Sequence, residues 1–556
     1  MNWIQDLEYN IDLRILVQDD NIIGVIDCDL YGDQWVDLYI QFQKLYKECY
    51  SPGDVIVVKS TYDYYQNNHA GIILQSVQSL VNTIDISNFF IRFETTNKDI
   101  HNEYQYILET YSTDKVPFTL KVIPGSFTKK KANTKTPFIK LQNLVDIETI
   151  ESLTQEQKNL LFASKSFCIA PWTALEIGTG SRVRPCCEYR GGSVGNAAEN
   201  SLSEIWNNDS LRTIRKKMLN NQEVEGCKRC YTKEQYGRDS LRNSFNRRFG
   251  RYITKVSATN DYSCNFELVY LDARFNNLCN LSCRSCDYTS STSWHKPAVA
   301  LGLIAKDTPV LSSAGRYPGD LLNQIKKHIH TIQSIYFAGG EPLIIEEFYQ
   351  LLEELDKAGR HDVELIYNTN LTQSYLKDKS IFDYWKNFKN ISIGASLDAE
   401  EERAEYLRCG TKWNDIVEFR KQIFANRPDI DFYINCTTGI INALHIVDFH
   451  RSWVDKGLLR PEDFNVHLLF EPEYMNVSNS PEVFKEKIKQ KYNEHLKWLK
   501  PLDTLGRASF GFESIIKHLD SNNHFDRKLF WDNVNSLDGY YKTDLLSVFP
   551  ELDDLK

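Results

Sequence analysis

Hydrophobic and polar positions follow three different patterns along the chain, and the first covers residues 1–128. Here apolar runs such as DVIVVKS (54–60) and NFFIRFETT (88–96) alternate with amphipathic segments. Alternating strands and helices predict a small open α/β domain with about four parallel strands. It carries no glycine-rich phosphate loop, so nothing indicates a nucleotide site. We expect either a recognition domain or a scaffold, followed by an exposed, turn-rich linker over 129–160.

The second pattern, over 161–262, consists of short turns, glycines and cysteines with little continuous apolar sequence. Its clearest element is a helix predicted over 210–219 and capped by Asp209 or Ser210, with apolar residues at helical spacing on one face. Irregular segments with so little core usually need a metal to hold them together. We therefore treat 161–262 as a small module of its own.

The third pattern, over 263–480, repeats a strand and a helical segment. Six strands are predicted, at ELVYLDA (267–273), SIYFA (334–338), VELIY (363–367), ISIGASL (391–397), DFYINCT (431–437) and NVHLLF (465–470). Repeated strand–helix units predict a parallel sheet with right-handed crossovers, here a partial (β/α)6 barrel of the α/β class. Any site should lie at the carboxyl ends of these strands. Residues 481–556 predict a polar helical extension.

The overall composition narrows the class of protein. The chain has 556 residues, with 65 Lys and Arg against 75 Asp and Glu, and its net charge of −10 disfavours binding nucleic acid over a large surface. No apolar run reaches the ~18 residues of a membrane-spanning helix, and the opening residues show no secretory signal. We expect a cytoplasmic protein whose 13 cysteines serve as free thiols or metal ligands rather than in disulfides.

Three of the cysteines follow the first barrel strand with the spacing C-x3-C-x2-C: Cys279, Cys283 and Cys286. Three thiolates this close together can bind three irons of one iron–sulfur cube and leave the fourth iron open to another ligand. Zinc is the alternative, although a zinc site normally shows two separated pairs of ligands. After the second strand comes Gly-Gly-Glu-Pro, residues 339–342, where two glycines let a backbone approach a ligand closely and the carboxylate suits an ammonium group.

Together these two motifs resemble the radical S-adenosylmethionine (SAM) superfamily. The resemblance implies a [4Fe-4S] cluster on the three cysteines, chelated at its open iron by the amino and carboxylate groups of SAM. It implies reductive cleavage of SAM to methionine and a 5′-deoxyadenosyl radical, and a one-electron reductant such as flavodoxin or ferredoxin.

The resemblance also suggests which residues contact SAM. By position, the methionine amino group would be held by the turn of Gly339, Gly340, Glu341 and Pro342. Arg408 would pair with the SAM carboxylate, and the rest of the pocket would be lined by Asn368, Asn370, Ser396 and Asp398. Ser285 stands where the family carries an aromatic residue beside the adenine, and Tyr288 is the candidate substitute.

A second group of cysteines lies upstream, in the module 161–262. One cysteine, a glycine-rich hairpin, a Cys-Cys pair and a later C-x2-C supply four thiolates for a further cluster or for zinc. The context resembles the twitch and SPASM auxiliary-cluster modules of radical SAM enzymes, and the cysteine count favours twitch, with one cluster. We assign as ligands Cys168, Cys186, Cys227 and Cys230, with Cys187 as the substitute for Cys186. In most relatives such a module follows the barrel, whereas here it precedes it.

Two further features have more than one interpretation. Residues 207–256 hold 13 Lys and Arg against 5 Asp and Glu, which fits an anionic partner or pairing with the acidic remainder of the chain. Cys409 and Cys436, near strand ends, are candidates for donating a hydrogen atom to a substrate radical, with plain core thiols as the alternative.

The sequence thus predicts a radical SAM enzyme with two [4Fe-4S] clusters. Twitch and SPASM relatives mostly modify peptides, so we expect hydrogen abstraction from a peptide or protein. A dehydrogenase acting on a sugar-like small molecule is the alternative substrate class. A zinc-binding adaptor protein without catalytic activity is the alternative from another class.

Overall fold

The computed structural model describes residues 153–235, 240–256, 261–503, 506–520 and 524–556, and in the preceding part of the chain the backbone of six strands. The chain forms two compact units. The first is Met1–Glu151 with Thr504–Gly506, and the second is Ser152–Asp503 together with Arg507–Lys556.

The first unit contains one six-stranded sheet in which the strands follow their order in the chain. The strands are β1 Asn2–Asp6, β2 Ile11–Ile15, β3 Ile22–Asp27, β4 Asp54–Ser60, β5 Phe89–Thr95 and β6 Phe118–Leu120. Strands β3 to β6 are parallel, in agreement with the predicted number of about four parallel strands. The antiparallel pairs β1–β2 and β2–β3 were not predicted. The amphipathic segments between the parallel strands and the linker up to residue 152 lie outside the described residues.

The second unit is built on a nine-stranded sheet, and all six predicted barrel strands are part of it. They are β10 Tyr270–Ala273, β12 Ser334–Phe337, β13 Glu364–Thr369, β16 Ile391–Ser396, β18 Asp431–Thr438 and β19 Phe464–Leu468. All six are parallel and adjacent in chain order, as right-handed strand–helix–strand crossovers require. The α/β fold class and the partial parallel barrel are therefore as predicted.

Three short strands of the cysteine-rich module extend the same sheet. They are β7 Ala174–Ile177, β8 Arg182–Arg184 and β9 Gly195–Asn196. Strand β7 pairs in parallel with β10, so that Glu176 lies beside Asp272, and β8 and β9 continue antiparallel. The module therefore joins the barrel sheet through backbone hydrogen bonds. Four strands of two residues each form two further small sheets: β11 Ser282–Cys283 with β17 Arg408–Cys409, and β14 Tyr375–Leu376 with β15 Lys379–Ser380. The predicted domain boundaries at 161, 263 and 481 stay predictions.

The two faces of the barrel sheet differ in chemistry. Along β18, Phe432, Ile434 and Cys436 are buried, whereas the alternating Tyr433 and Asn435 are only half-buried. The buried face packs on the helices; the ring of Phe464 on β19, for example, lies 5.5 Å from that of Phe449. Residues that alternate along a strand point to opposite faces. The other face, which we call the inner face, is therefore polar and accessible.

Helices cover the outer face of the sheet and form the carboxyl-terminal extension. In chain order they are α1 Gln155–Lys158, α2 Ala170–Thr173, α3 Leu202–Trp206, α4 Asp209–Leu219, α5 Lys228–Gln235, α6 Leu241–Phe249, α7 His295–Ala300, α8 Asp320–Lys326, α9 Glu346–Lys357, α10 Ile381–Trp385, α11 Glu401–Leu407, α12 Trp413–Asn426, α13 Ile446–Asp455, α14 Glu482–Leu499, α15 Arg507–Leu519, α16 Arg527–Tyr541 and α17 Leu545–Val548. Within the described residues, none of these helices has the length and apolar character needed to cross a bilayer.

Two helix ends illustrate the local sequence rules. Helix α9 ends before Gly359, which has φ +67°, a left-handed conformation that glycine adopts without a steric cost. The predicted cap of α4 was wrong: Asn208, not Asp209 or Ser210, accepts the hydrogen bond from the Leu211 N–H at the helix start. Asparagine caps a helix about as well as aspartate or serine, so the sequence left several candidates.

Candidate functional site

The three-cysteine motif lies in a loop at the carboxyl end of β10. Cys279 is half-buried, Cys283 is buried and Cys286 is exposed. The loop contains a two-residue strand, β11 Ser282–Cys283, which pairs antiparallel with β17 Arg408–Cys409. The structure therefore places the motif at the edge of the sheet where the sequence predicts the site.

The Gly-Gly-Glu-Pro turn follows β12 and packs directly on the cysteine loop. A Cβ atom on Gly340 would lie 2.1 Å from the carbonyl oxygen of Leu278, so only glycine fits there. The Gly340 N–H donates to Asn276 O at 3.2 Å, and the Glu341 N–H donates to Leu278 O at 2.8 Å. In the structure, the close backbone approach that Gly340 permits is to the cysteine loop. This contact fixes the position of Cys279.

The Glu341 side chain connects this turn to the end of β13. One carboxylate oxygen accepts hydrogen bonds from Thr369 Oγ1 at 2.6 Å and from the Leu343 N–H at 3.1 Å. The other accepts from the Asn370 N–H at 2.7 Å. Burial raises the pKa of Glu341 to about 7. Asn370 in turn lies over the cysteine loop, with Nδ2 4.0 Å from Cys279 Sγ.

Arg408 lies on the other side of the cysteines. Its Nη1 is 3.7 Å from Cys283 Sγ, and its Nε donates to Asp398 Oδ2 at 2.9 Å. The second oxygen of Asp398 accepts from the Thr437 N–H at 2.8 Å. Ser396 lies on the inner face, where its hydroxyl donates to Asn368 Oδ1 at 3.3 Å. Of the predicted SAM-contacting residues, Gly340, Asn370 and Arg408 therefore contact the cysteine loop, and Asp398 acts on Arg408.

A small cleft opens beside the last cysteine. Its lining consists of Ser285, Asp398, Leu407, Thr437, Gly439, Ile441, Asn442, Leu469 and Met475. Ser285 therefore does reach the cleft, together with four larger apolar side chains from other parts of the barrel. Tyr288, the candidate substitute for an aromatic residue, is one of the exposed aromatic side chains at 36%.

The second cysteine group also converges, although its members are up to 62 positions apart in the sequence. Cys168, Cys186, Cys227 and Cys230 line one cleft. Burial, and then the neighbouring thiols, raise the pKa of Cys186 well above its ordinary value. Cys187 instead lies among the charges of the inner face: burial, then the Asp272 and Glu188 carboxylates, raise its pKa to about 12. The geometry therefore favours Cys186 as the fourth ligand.

Two side chains that sequence reasoning missed hold this cleft together. Arg242 Nη1 donates to the carbonyl oxygens of Phe167 at 2.7 Å and Ser164 at 3.0 Å, while its Nε donates to Glu234. Asn246 Oδ1 accepts from the Ile169 N–H at 2.9 Å. Both side chains belong to α6 and fix the backbone on either side of Cys168. No signal in the sequence separates them from the other arginines and asparagines of that helix.

Three of the thiols lie in the loop at the carboxyl edge of the sheet, and four line the second cleft. In the described part of the chain, no group of three or more His, Cys, Asp or Glu side chains is placed to hold one metal ion.

Between the two cysteine groups, the inner face carries charged residues. Glu176 is 1% and Asp272 0% exposed, and each holds an arginine: Arg184 Nε lies 2.6 Å from Glu176, and Arg274 Nε lies 3.3 Å from Asp272. The side chains of Arg184 and Arg274 are 27% and 31% exposed. Fixed guanidinium groups with accessible edges can bind carboxylate or carbonyl oxygens.

The other two candidate cysteines do not face this space. Cys436 lies on the outer face of β18 beside Ile434 and is fully buried. Cys409 Sγ donates to Tyr406 O at 3.4 Å, within the packing under the cysteine loop. Their predicted role as hydrogen donors finds no support in these positions, and the core-thiol alternative fits both.

Several cations of the basic segment 207–256 pair with acidic side chains. Arg212 binds Asp209 and Asp261, and Arg229 and Lys233 bind Glu188, at 2.6–3.3 Å. Arg248 pairs with Glu364 of β13. The alternative of pairing with acidic residues therefore accounts for part of these charges.

Comparison with known proteins identifies the module. Residues 168–231 match the family model of SPASM, an iron–sulfur cluster-binding domain. The predicted auxiliary module is thus confirmed, under the name SPASM rather than twitch. No curated protein sequence matches the chain.

Similar solved structures are distant. Native anSMEcpe with bound AdoMet and Cp18Cys peptide is 18% identical over 40% of this chain and 58% of that one, with a TM-score of 0.29. Native anSMEcpe with bound AdoMet is 20% identical over 43% and 60%, with a TM-score of 0.28. TYW1 with a lysine-pyruvate adduct is 13% identical over 42% and 71%, with a TM-score of 0.22. The chain spans about 60% of the length of the anSMEcpe structures. With its SPASM match, parallel half-barrel and three-cysteine loop, it resembles a radical SAM enzyme that carries a SPASM module.

Proposed function

We propose that the protein is a radical SAM enzyme that abstracts a hydrogen atom from a peptide or protein substrate. The observation that carries the proposal is the placement of Cys279, Cys283 and Cys286 at the carboxyl edge of the parallel sheet, between Asn370 and Arg408. A [4Fe-4S] cluster with bound SAM would supply the reductive cleavage that yields a 5′-deoxyadenosyl radical. The protein supplies binding, orientation and electrostatics.

The chain's own residues would hold and orient SAM. Glu341 is fixed by three hydrogen bonds and can accept one more, which suits an ammonium group. Arg408 is held beside Cys283 by Asp398, so that its positive charge lies where a carboxylate would bind. For the adenine, the apolar wall of Leu407, Ile441, Leu469 and Met475 takes the place of the aromatic residue missing at Ser285.

The substrate would bind on the inner face, between the two cysteine groups. This face carries the guanidinium groups of Arg184 and Arg274 together with half-buried tyrosine and asparagine side chains. These groups can bind the amides and carboxylates of a peptide. The SPASM match supports this substrate class, since such modules mostly serve peptide modification. A second cluster at Cys168, Cys186, Cys227 and Cys230 and an external one-electron reductant such as flavodoxin or ferredoxin complete the proposal.

The test uses the anaerobically reconstituted full-length chain. Wild type is compared with a Cys279→Ala/Cys283→Ala/Cys286→Ala variant, with iron content and 5′-deoxyadenosine formed from SAM and dithionite as readouts. We expect about eight irons per chain in the wild type and about four in the variant, since each cube holds four. Nucleoside should form only with the wild type.

A Cys264→Ala/Cys436→Ala variant is the matched control, because Cys264 borders a separate cleft beside Trp172 and Cys436 is buried in the barrel core. It should keep the iron content and activity of the wild type. Zinc in place of iron, with no nucleoside formed by the wild type, would support the adaptor alternative and overturn the proposal. A wild type that binds about eight irons but forms no nucleoside would overturn the enzymatic part alone.

A further inference from the structure

The cysteine loop contains an arginine whose side chain binds the carboxyl-terminal extension. Arg284 directly follows Cys283 and is 2% exposed. Its Nη2 donates to Asp538 Oδ1 at 2.6 Å and to Thr543 Oγ1 at 2.8 Å, and its Nε donates to Tyr406 O at 3.0 Å. Its guanidinium carbon lies 3.7 Å from the ring centre of Tyr406, a distance at which the ring face stabilises a cation.

Asp538 is equally well fixed on the opposite side of this contact. It lies on α16, and its carboxylate also accepts hydrogen bonds from Thr543 Oγ1 at 2.7 Å and from the Leu545 N–H at 2.9 Å. A second link lies one turn away, where the Tyr541 hydroxyl donates to Ser282 Oγ at 2.8 Å. Ser282 of β11 and Arg284, two positions later, are thus both bound to helix α16 of the extension.

This attachment lies on the opposite side of the loop from the thiols. The pair β11–β17 places Cys283 beside Arg408, while the Arg284 N–H donates to Leu407 O at 2.8 Å. Adjacent residues of a strand point to opposite faces, so Cys283 faces Arg408 and Arg284 faces α16. A displacement of Arg284 would therefore move the backbone that carries Cys283 and, two residues later, Cys286.

We propose that Arg284 is a positioning residue, and that its contact with Asp538 makes helix α16 of the extension part of the SAM-cluster site. Its catalytic consequence rests on the proposed function, but the positioning itself does not. The guanidinium joins the cysteine loop to a helix residue 254 positions later, and a buried arginine fork of this kind keeps its geometry better than a lysine would.

The first experiment measures thiol accessibility in the full-length, metal-free chain, without any cluster or SAM. Cysteines are alkylated with iodoacetamide, and the rate at each position is followed by mass spectrometry. The variants are Arg284→Lys and Asp538→Asn, and Arg403→Gln is the matched control. Arg403 binds Glu551 at 2.6 Å and so also contacts the end of the extension, but not the cysteine loop.

We expect Cys283 to be alkylated at least tenfold faster in both test variants than in the wild type. Cys436, fully buried in the barrel core, serves as the internal measure of global unfolding and should keep its wild-type rate. The double variant Arg284→Lys/Asp538→Asn should label no faster than the single variants, since partners in one contact are not additive. An unchanged Cys283 rate, or equal acceleration of Cys283 and Cys436, would overturn the proposal.

The second experiment measures the reconstituted variants for iron content and for the SAM-induced change in the electron paramagnetic resonance spectrum. We expect at least tenfold slower 5′-deoxyadenosine formation and an altered spectrum in Arg284→Lys and Asp538→Asn, with Arg403→Gln like the wild type. If the wild type itself forms no nucleoside, the proposed function fails while the alkylation result still decides the positioning. If the wild type forms nucleoside and all three variants match it in rate and in spectrum, the positioning role is refuted while the proposed function stands.

Discussion

Arg408 and Asp398 form a buried ion pair directly against the cysteine loop. Two guanidinium nitrogens, Nε and Nη2, lie 2.9 and 2.8 Å from the same oxygen of Asp398, and Nη1 lies 3.7 Å from Cys283 Sγ. The Thr437 N–H holds the second oxygen of Asp398. The end of β18 therefore fixes the orientation of an arginine on β17, which in turn faces Cys283.

The first prediction concerns this pair. Asp398→Asn removes the charge that orients Arg408 and leaves a buried guanidinium without its counterion, which costs about 3–5 kcal/mol of stability in comparable pairs. We expect at least tenfold slower 5′-deoxyadenosine formation, measured with dithionite under saturating SAM. Asp320→Asn is the control, because Asp320 is also buried and paired, with Arg316, but on α8 away from the cysteines. Equal rates in the two variants would contradict the prediction.

The second prediction tests the packing of Gly340 on the cysteine loop. In Gly340→Ala the new methyl group would overlap Leu278 O, which belongs to the backbone and cannot move without displacing Cys279. We expect the variant to lose the iron of the first cluster, about four per chain, and all SAM cleavage. Gly180→Ala adds the same methyl group where no atom lies within 4 Å, so it should keep both properties. Full iron content in Gly340→Ala would refute this explanation of the motif.

These sites show what the sequence could predict. The six barrel strands and the edge that carries the site were predictable, because apolar runs at regular intervals define parallel strands and parallel strands end at one edge. Cys279, Cys283 and Cys286 were recognisable because their ligand spacing is local. Gly340 was recognised as a site of close approach, although the structure places the cysteine loop there.

The features that the sequence did not predict depend on contacts between residues far apart in the chain. Strand β7 has four residues, too few to give a periodic signal, and it is ordered by pairing with β10 almost one hundred positions later. Asp538 looks like any surface aspartate until the fold brings Arg284 to it. Neither Cys186 nor Cys187 is distinguishable by spacing, because adjacent residues differ only in the direction of the side chain.

The third prediction separates these two cysteines. Cys186 lies in the cleft with three other cysteines, whereas Cys187 lies among the charges of the inner face. Cys186→Ala should therefore bind about four irons per chain, and Cys187→Ala about eight, since only the first removes a ligand of the second cube. Iron and sulfide analysis of the two reconstituted variants is the measurement. The reverse pattern would identify Cys187 as the ligand.

The fourth prediction concerns acid stability and two buried histidines next to the barrel. His495 Nε2 and His450 Nδ1 are 3.0 Å apart, His450 Nε2 is 2.9 Å from Pro461 O, and Arg451 Nε donates to His495 Nδ1. Each ring nitrogen in this row of hydrogen bonds has a partner when both rings are neutral. His495 then donates to His450, and His450 donates to the carbonyl oxygen of Pro461. Burial lowers the pKa of His450 to about 3 and that of His495 to about 2.

Protonation should therefore favour the unfolded chain. Unfolded histidines bind protons near pH 6.5, while these two stay neutral in the folded protein, so the free energy of unfolding decreases as the pH falls below 6.5. Between pH 7.5 and pH 5, the two histidines should lower the free energy of unfolding by about 4 kcal/mol. Urea denaturation at both pH values is the measurement. A His450→Gln/His495→Gln variant, whatever its stability at pH 7.5, should lose about 4 kcal/mol less over the same interval. Burial also lowers the pKa of His445, to about 4. His445 is present in both proteins, so it contributes equally to the pH dependence of each. The same loss in wild type and variant would show that these two histidines are not the groups that titrate.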